Sequence, residues 1–200
     1  MENILEKLNF EIDKQSIICL QEISTDYAGE LHSHFSQNDY YFVHIGYGNK
    51  WNGYMGVGIA VPLAKFEIEE IDITRIADTK YMPRKQAPSF LARFLEFFMG
   101  FIKAFLKLIG AGGKKEENPW SIALARYNQM LCMRLKFKKV KGSTDNRSIV
   151  IGTYHLPCIF QVPAVMNIHC ALAAHHISKF AKGKYKQHNA FMRLLFIYKI

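Results

Sequence analysis

The chain has 200 residues, half of them hydrophobic and 22% charged. That is enough chain for one domain with a sizeable core, and the composition excludes a disordered protein. Its 26 Lys and Arg against 17 Asp and Glu leave a net charge of +9, which favours an anionic partner: nucleic acid, a phosphorylated metabolite or an anionic membrane surface.

The predicted elements alternate along the chain. Residues 2–12 place Ile4, Leu5, Leu8 and Ile12 at helical spacing, so an amphipathic helix comes first. The same stretch carries acids and no continuous apolar run, so it is neither a secretory signal nor a transit peptide, and the expectation is an intracellular protein. "SIICLQEI" then reads as a short strand that ends in the charge of Glu22, and "STDYAGELHSHF" as a helix capped by Ser24 or Thr25. "YYFVHIGYG" and "YMGVGIAVP" are antiparallel strands around "NKWNG". "KFEIEEIDITRI" is a further strand with a bulge expected near Glu70. "ALARYNQMLCMRLKFKKV" and "RSIVIGTYHL" are two more, joined by "KGSTDN", and a helix runs from Pro163 to about Ala181. Strands in hairpin order flanked by helices predict layered α and β structure.

Charge is concentrated in two places. "RLKFKKVKG", from Arg134 to Gly142, alternates cations with Leu135, Phe137 and Val140, the pattern of a strand with one solvated face. The tail holds Lys182, Lys184, Lys186, Arg193 and Lys199 with no acid. Cys19, Cys132, Cys158 and Cys170 are scattered without a C-x-x-C pair and read as small buried hydrophobes of a reducing compartment, with no disulfide partner and no zinc role. His32 and His34, and His169, His175 and His176 on the late helix, lack metal-ligand spacing; His169 and His176, seven apart, could share a helix face, but no carboxylate or cysteine joins them on it.

Four segments in order, "IICLQEIS", "YMGVGIAVP", "RYNQMLCMRLKF" and "IGTYHLPC", resemble those of the endonuclease/exonuclease/phosphatase (DNase I-like) superfamily. The resemblance covers roughly residues 1–182 and implies a four-layer α/β sandwich, here incomplete, that hydrolyses phosphoester bonds with a divalent metal, Mg²⁺ or Mn²⁺. A phosphodiester repels hydroxide, so a hard cation must neutralise charge on its oxygens as the transition state forms. By this resemblance Glu22 is the metal ligand, and His155 is the histidine that donates to the scissile phosphate. Tyr154 is the rival candidate because some members carry tyrosine there, and strand alternation lets only one of the two face the site. Arg126 and Asn128, at a strand entrance, are candidates for substrate contact. The implied substrate is nucleic acid, a small phosphorylated metabolite or a lipid headgroup.

The departures are equally specific. Superfamily members open with a strand bearing an asparagine and continue to "G-D-F-N" and "S-D-H" segments, whereas no aspartate follows Asp145 in this sequence. The expectation is therefore a fragment truncated at both ends, with residues 183–200 as a basic divergent tail, that hydrolyses no faster than its Glu22→Gln variant. "APSFLARFLEFFMGFIKAFLKLIGAGG", residues 87–113, puts Arg93, Glu96, Lys103 and Lys107 on one stripe of an apolar helix. It reads as an inserted amphipathic helix, packed on its own domain or lying on a membrane surface. That segment carries the alternative function, a non-catalytic basic module that binds a membrane surface or a protein partner.

Overall fold

The computed structural model describes residues 2–48, 55–80, 118–139, 147–183 and 191–194. In chain order these form α1 (Glu2–Asp13), β1 (Ile18–Ile23), α2 (Thr25–Gln37), β2 (Tyr40–Gly46), β3 (Gly56–Pro62) and β4 (Phe66–Arg75). A 3₁₀ turn (Ile76–Thr79), α3 (Pro119–Leu124), β5 (Gln129–Phe137), β6 (Ser148–Tyr154), α4 (Pro163–Lys182) and β7 (Phe191–Leu194) follow. The 87–113 segment lies outside the described residues, as does the "KGSTDN" connection.

The strands make two sheets, β1-β3-β2 and β4-β5-β6-β7. Every pairing is antiparallel except β6 with β7, which run parallel across the α4 crossover. Three apolar cores separate four layers. Leu8 and Ile12 of α1 and Leu31 and Phe35 of α2 bury against Ile18, Ile23, Phe42 and Ala60 on the outer face of the first sheet. The inner faces meet through Cys19, Ile45, Val57, Ile59 and Val61 on one side and Phe66, Leu131, Met133, Leu135 and Ile151 on the other. Ala173 and Ile177 of α4 cover Met130, Cys132, Val150 and Tyr154 on the outer face of the second sheet. This is the predicted α/β sandwich, and the central position of β3 and β5 explains why every residue from Gly56 to Pro62 is buried.

The bulge predicted near Glu70 lies between Ile68 and Glu70 in the β4–β5 register. It moves Glu70 off the inter-sheet face, where Phe66 and Ile68 point, to the α4 face, where its carboxylate lies 3.3 Å from Arg134 Nε. Arg134 overturns the expectation of a solvated cationic face on β5. It is only 2% exposed, it donates to the Phe180 carbonyl of α4, and its guanidinium lies over the Phe180 ring. The physical reason is that α4 covers that face at Arg134, so this cation marks a buried guanidinium paired with the partly exposed Glu70 rather than a solvated side chain.

Two boundaries also shift. "ALARYNQ" is not the start of a strand: Asn118 accepts from the Trp120 N–H and Pro119 opens the short helix α3, after which the chain turns into β5. Arg75 donates to the carbonyls of Leu124 and Arg126 at the end of that helix. Phe191–Leu194, inside the segment read as a divergent tail, pair with β6. Among the described residues no helix is long and apolar enough to cross a membrane.

Candidate active site

The register of β1 explains how a strand can end in a usable charge. Pairing with β3 steps from Gln21↔Val57 to Ile23↔Gly56, so Glu22 has no residue opposite it, and its backbone turns into the left-handed region at φ 58°. Cys19 faces the inter-sheet core and Gln21 shares its face, donating from Nε2 to the Tyr154 carbonyl at 3.1 Å. In a regular strand Ile23 would join them; the extra residue returns it to the α2 face instead. Left-handed backbone costs a residue with a side chain about 1–2 kcal/mol, and such strain collects at sites where a side chain must be re-aimed.

The re-aimed carboxylate meets His155, which follows the last residue of β6. Glu22 Oε1 and His155 Nε2 are 3.5 Å apart, at 30% and 25% side-chain exposure, and this contact is one of those Glu22 makes. That distance exceeds a normal hydrogen bond, and a pair so open to water contributes about 0–1 kcal/mol. The arrangement is therefore poor as a stabilising bridge and open to an ion or a phosphate oxygen.

His155 is fixed through its backbone. Asn128 Nδ2 donates to the His155 carbonyl at 2.9 Å, and the Asn128 carbonyl accepts from the Ile76 N–H. Asn128, read as a candidate substrate contact, thus uses one amide N–H to position His155. Arg126, the other candidate substrate contact, lies close enough to His169 for its charge to oppose protonation of that imidazole.

Tyr154 is corrected outright. Its side chain is 1% exposed in the core under α4, and its hydroxyl lies 2.6 Å from His169 Nδ1. His169 Nε2 lies 3.0 Å from the Ala123 carbonyl, which can only accept. Nε2 must therefore carry the proton, and Tyr154 donates to Nδ1 of a neutral imidazole. Burial lowers the His169 pKa, with the Ala123 bond as a partial offset, and burial raises that of Tyr154. Alternation along β6 thus selects His155 for the open end and consigns Tyr154 to structure.

The fold also adds a residue that the strand reading passed over. The Tyr47 hydroxyl, just past β2, is buried and makes no well-formed hydrogen bond among the described residues, although the Asn128 side chain is close enough to interact with it. It sits near Asn128 and Glu22; burial drives its pKa upward, Asn128 offsets part of this, and Glu22 adds to the rise. A phenol kept protonated beside a carboxylate is a ready donor for an oxyanion. Its signal in the sequence was an aromatic with a hydroxyl immediately after an apolar strand, which core packing explains equally well.

Strand ends from both sheets thus bring Glu22, His155, Asn128 and Tyr47 near one another. No protein-family model matches the chain, and no curated protein matches it by sequence. Solved structures do match its fold. ANGEL2, a 2′,3′-cyclic phosphatase in complex with adenosine-2′,3′-vanadate, superposes with a TM-score of 0.58 at 16% identity over 92% of this chain. The human Nocturnin catalytic domain with bound sulfate gives 0.57 at 13% identity, also over 92%. An endonuclease/exonuclease/phosphatase from Bacteroides vulgatus gives 0.51 at 10% over 88%. The chain has the DNase I-like α/β fold, and it spans only 39%, 53% and 51% of those three chains respectively.

Proposed function

We propose that this chain supplies the metal-holding Glu22 and the phosphate-contacting His155 of a divalent-metal-dependent phosphoesterase site. The observation that carries the reading is the strained bulge that turns Glu22 out of its strand toward His155. A partly exposed carboxylate fits Mg²⁺ or Mn²⁺, which takes oxygen donors and retains several waters, so one protein oxygen with solvent around it is a workable first ligand. When bound, such an ion neutralises charge on the phosphate oxygens.

The remaining steps belong to the protein. His155, held by Asn128, donates to an oxygen on which negative charge develops; Tyr47 is placed to donate from the side of β2. Activating a water needs a further base, a part that neither Glu22 as a metal ligand nor His155 and Tyr47 as donors take. These residues together therefore bind a phosphoester without by themselves turning it over. The net charge of +9 and the adenosine-2′,3′-vanadate held by ANGEL2 support a nucleic-acid or nucleotide phosphoester as the ligand.

The test is binding of a short phosphodiester oligonucleotide in Mg²⁺, with turnover followed alongside. Glu22→Gln and His155→Ala are each expected to weaken Mg²⁺-dependent binding at least tenfold, and the wild-type chain to hydrolyse the oligonucleotide no faster than Glu22→Gln. Unchanged binding in both variants would remove the site. Mg²⁺-dependent hydrolysis abolished by Glu22→Gln would show that the chain is catalytically sufficient, against the proposal.

A further inference from the structure

A second group of ligating side chains lies on the opposite side of the second sheet, away from Glu22 and His155. Asp72 of the edge strand β4 is the register partner of Cys132 on β5, so their side chains stand next to each other on one face. His176 descends from α4 onto the same face. Its Nε2 is 2.8 Å from Asp72 Oδ2, and the same oxygen accepts from Thr74 Oγ1 at 2.9 Å. One ligand atom from each of Asp72, Cys132 and His176 lies within 4.8 Å of the other two. The residues come from three elements far apart in sequence, which is why no motif announces them.

From this juxtaposition we infer that Asp72, Cys132 and His176 form a binding site for Zn²⁺ or a similar borderline-soft divalent cation. The donor set decides the class of ion. Sulfur, imidazole nitrogen and carboxylate oxygen together suit zinc and exclude Mg²⁺, which takes oxygen alone. Zinc bonds of about 2.0–2.3 Å place tetrahedral donor atoms roughly 3.5 Å apart. The observed atoms reach that spacing if the His–Asp contact opens by several tenths of an ångström and the thiol closes by up to about 1.3 Å from the 4.8 Å limit. Thr74 then remains as a hydrogen bond to the ligating carboxylate, the kind of outer support that fixes a ligand's orientation.

Exposure fits the same geometry. Cys132 is fully buried, while His176 and Asp72 keep 15% and 32% of their side-chain surface, so water can take the fourth position from the solvent side. A plain His–Asp hydrogen bond would leave the thiol with no part to play; the cation uses all three groups. Its effect is to clasp the sheet edge β4 to β5 and α4, joining residues 72, 132 and 176.

The experiment is titration of the metal-free full chain with Zn²⁺, and with Co²⁺ as a spectroscopic stand-in. The expected results are 1:1 zinc binding, a raised Tm with zinc, and a cobalt spectrum with a thiolate-to-metal charge-transfer band. Asp72→Asn and His176→Gln, at partly exposed positions where folding survives, should each weaken zinc binding at least tenfold and cancel the rise in Tm. Cys132→Ser should remove the charge-transfer band. Glu22→Gln should leave zinc affinity unchanged, which separates this site from the proposed phosphoester site. Cobalt bound without a thiolate band, or zinc affinity unaltered in both Asp72→Asn and His176→Gln, overturns the inference.

Discussion

Glu22 is the residue where sequence and geometry bear most directly on each other. Because its backbone is left-handed, glycine at that position relieves steric strain of about 1–2 kcal/mol while adding unfolded-state entropy of about 0.5–1 kcal/mol. Glu22→Gly is therefore expected to match or exceed the wild type in denaturant stability by up to about 1 kcal/mol while losing divalent-metal binding, a separation that chemical unfolding and metal titration together read out. His169 gives a second residue-scale prediction. Its folded-state pKa lies below the ordinary value of 6.5, so the unfolded chain binds more protons once the pH falls into that range. The stability held above about pH 6.5 should decline as the pH drops below it, and His44, also lowered mainly by burial, adds in the same direction. Replacing Tyr154 by Phe leaves His169 Nδ1 without its donor and should cost about 1–3 kcal/mol in urea unfolding, with phosphoester binding unchanged.

Among the elements, β6 and α4 show how closely the layers meet. A Cβ on Gly152 would lie 2.7 Å from Met130 Cε and 2.8 Å from Ile177 Cδ1, so Gly152→Ala must re-pack the ends of those two side chains between β6 and α4 and should cost about 1 kcal/mol, measurable as a shift in urea midpoint. Most elements were legible because their apolar periods are local: Leu8 and Ile12 on α1, the unbroken apolar β3, the bulge in β4. What was not legible depended on a neighbour. Arg134 reads as solvated until α4 is laid over it, and α3 hides in a segment whose apolar residues suit a strand, betrayed only by Asn118 and Pro119. The late histidines, set aside for want of metal-ligand spacing, gain for His176 an acid and a cysteine from other elements when β4 and β5 pair Asp72 with Cys132.

At the scale of the whole molecule, the four layers bring the ends of β1, β2, β5 and β6 near one another, and the two residues singled out by the order of motifs, Glu22 and His155, come to lie side by side there. Motif order could not say that Tyr154 turns inward, that Asn128 donates to a backbone carbonyl, or that Tyr47 lies near Glu22, because each depends on strand parity and on contacts across the sheets. The same molecule carries a hard oxygen ligand in Glu22 and a mixed sulfur, nitrogen and oxygen set under α4, so the two proposed sites should sort ions by chemistry. The central claim is tested most directly by Mn²⁺ binding to the zinc-saturated chain in the presence of an oligonucleotide, compared between wild type and Glu22→Gln. The account predicts one Mn²⁺ per chain in the wild type and at least tenfold weaker binding in the variant; equal affinity in the two would contradict it.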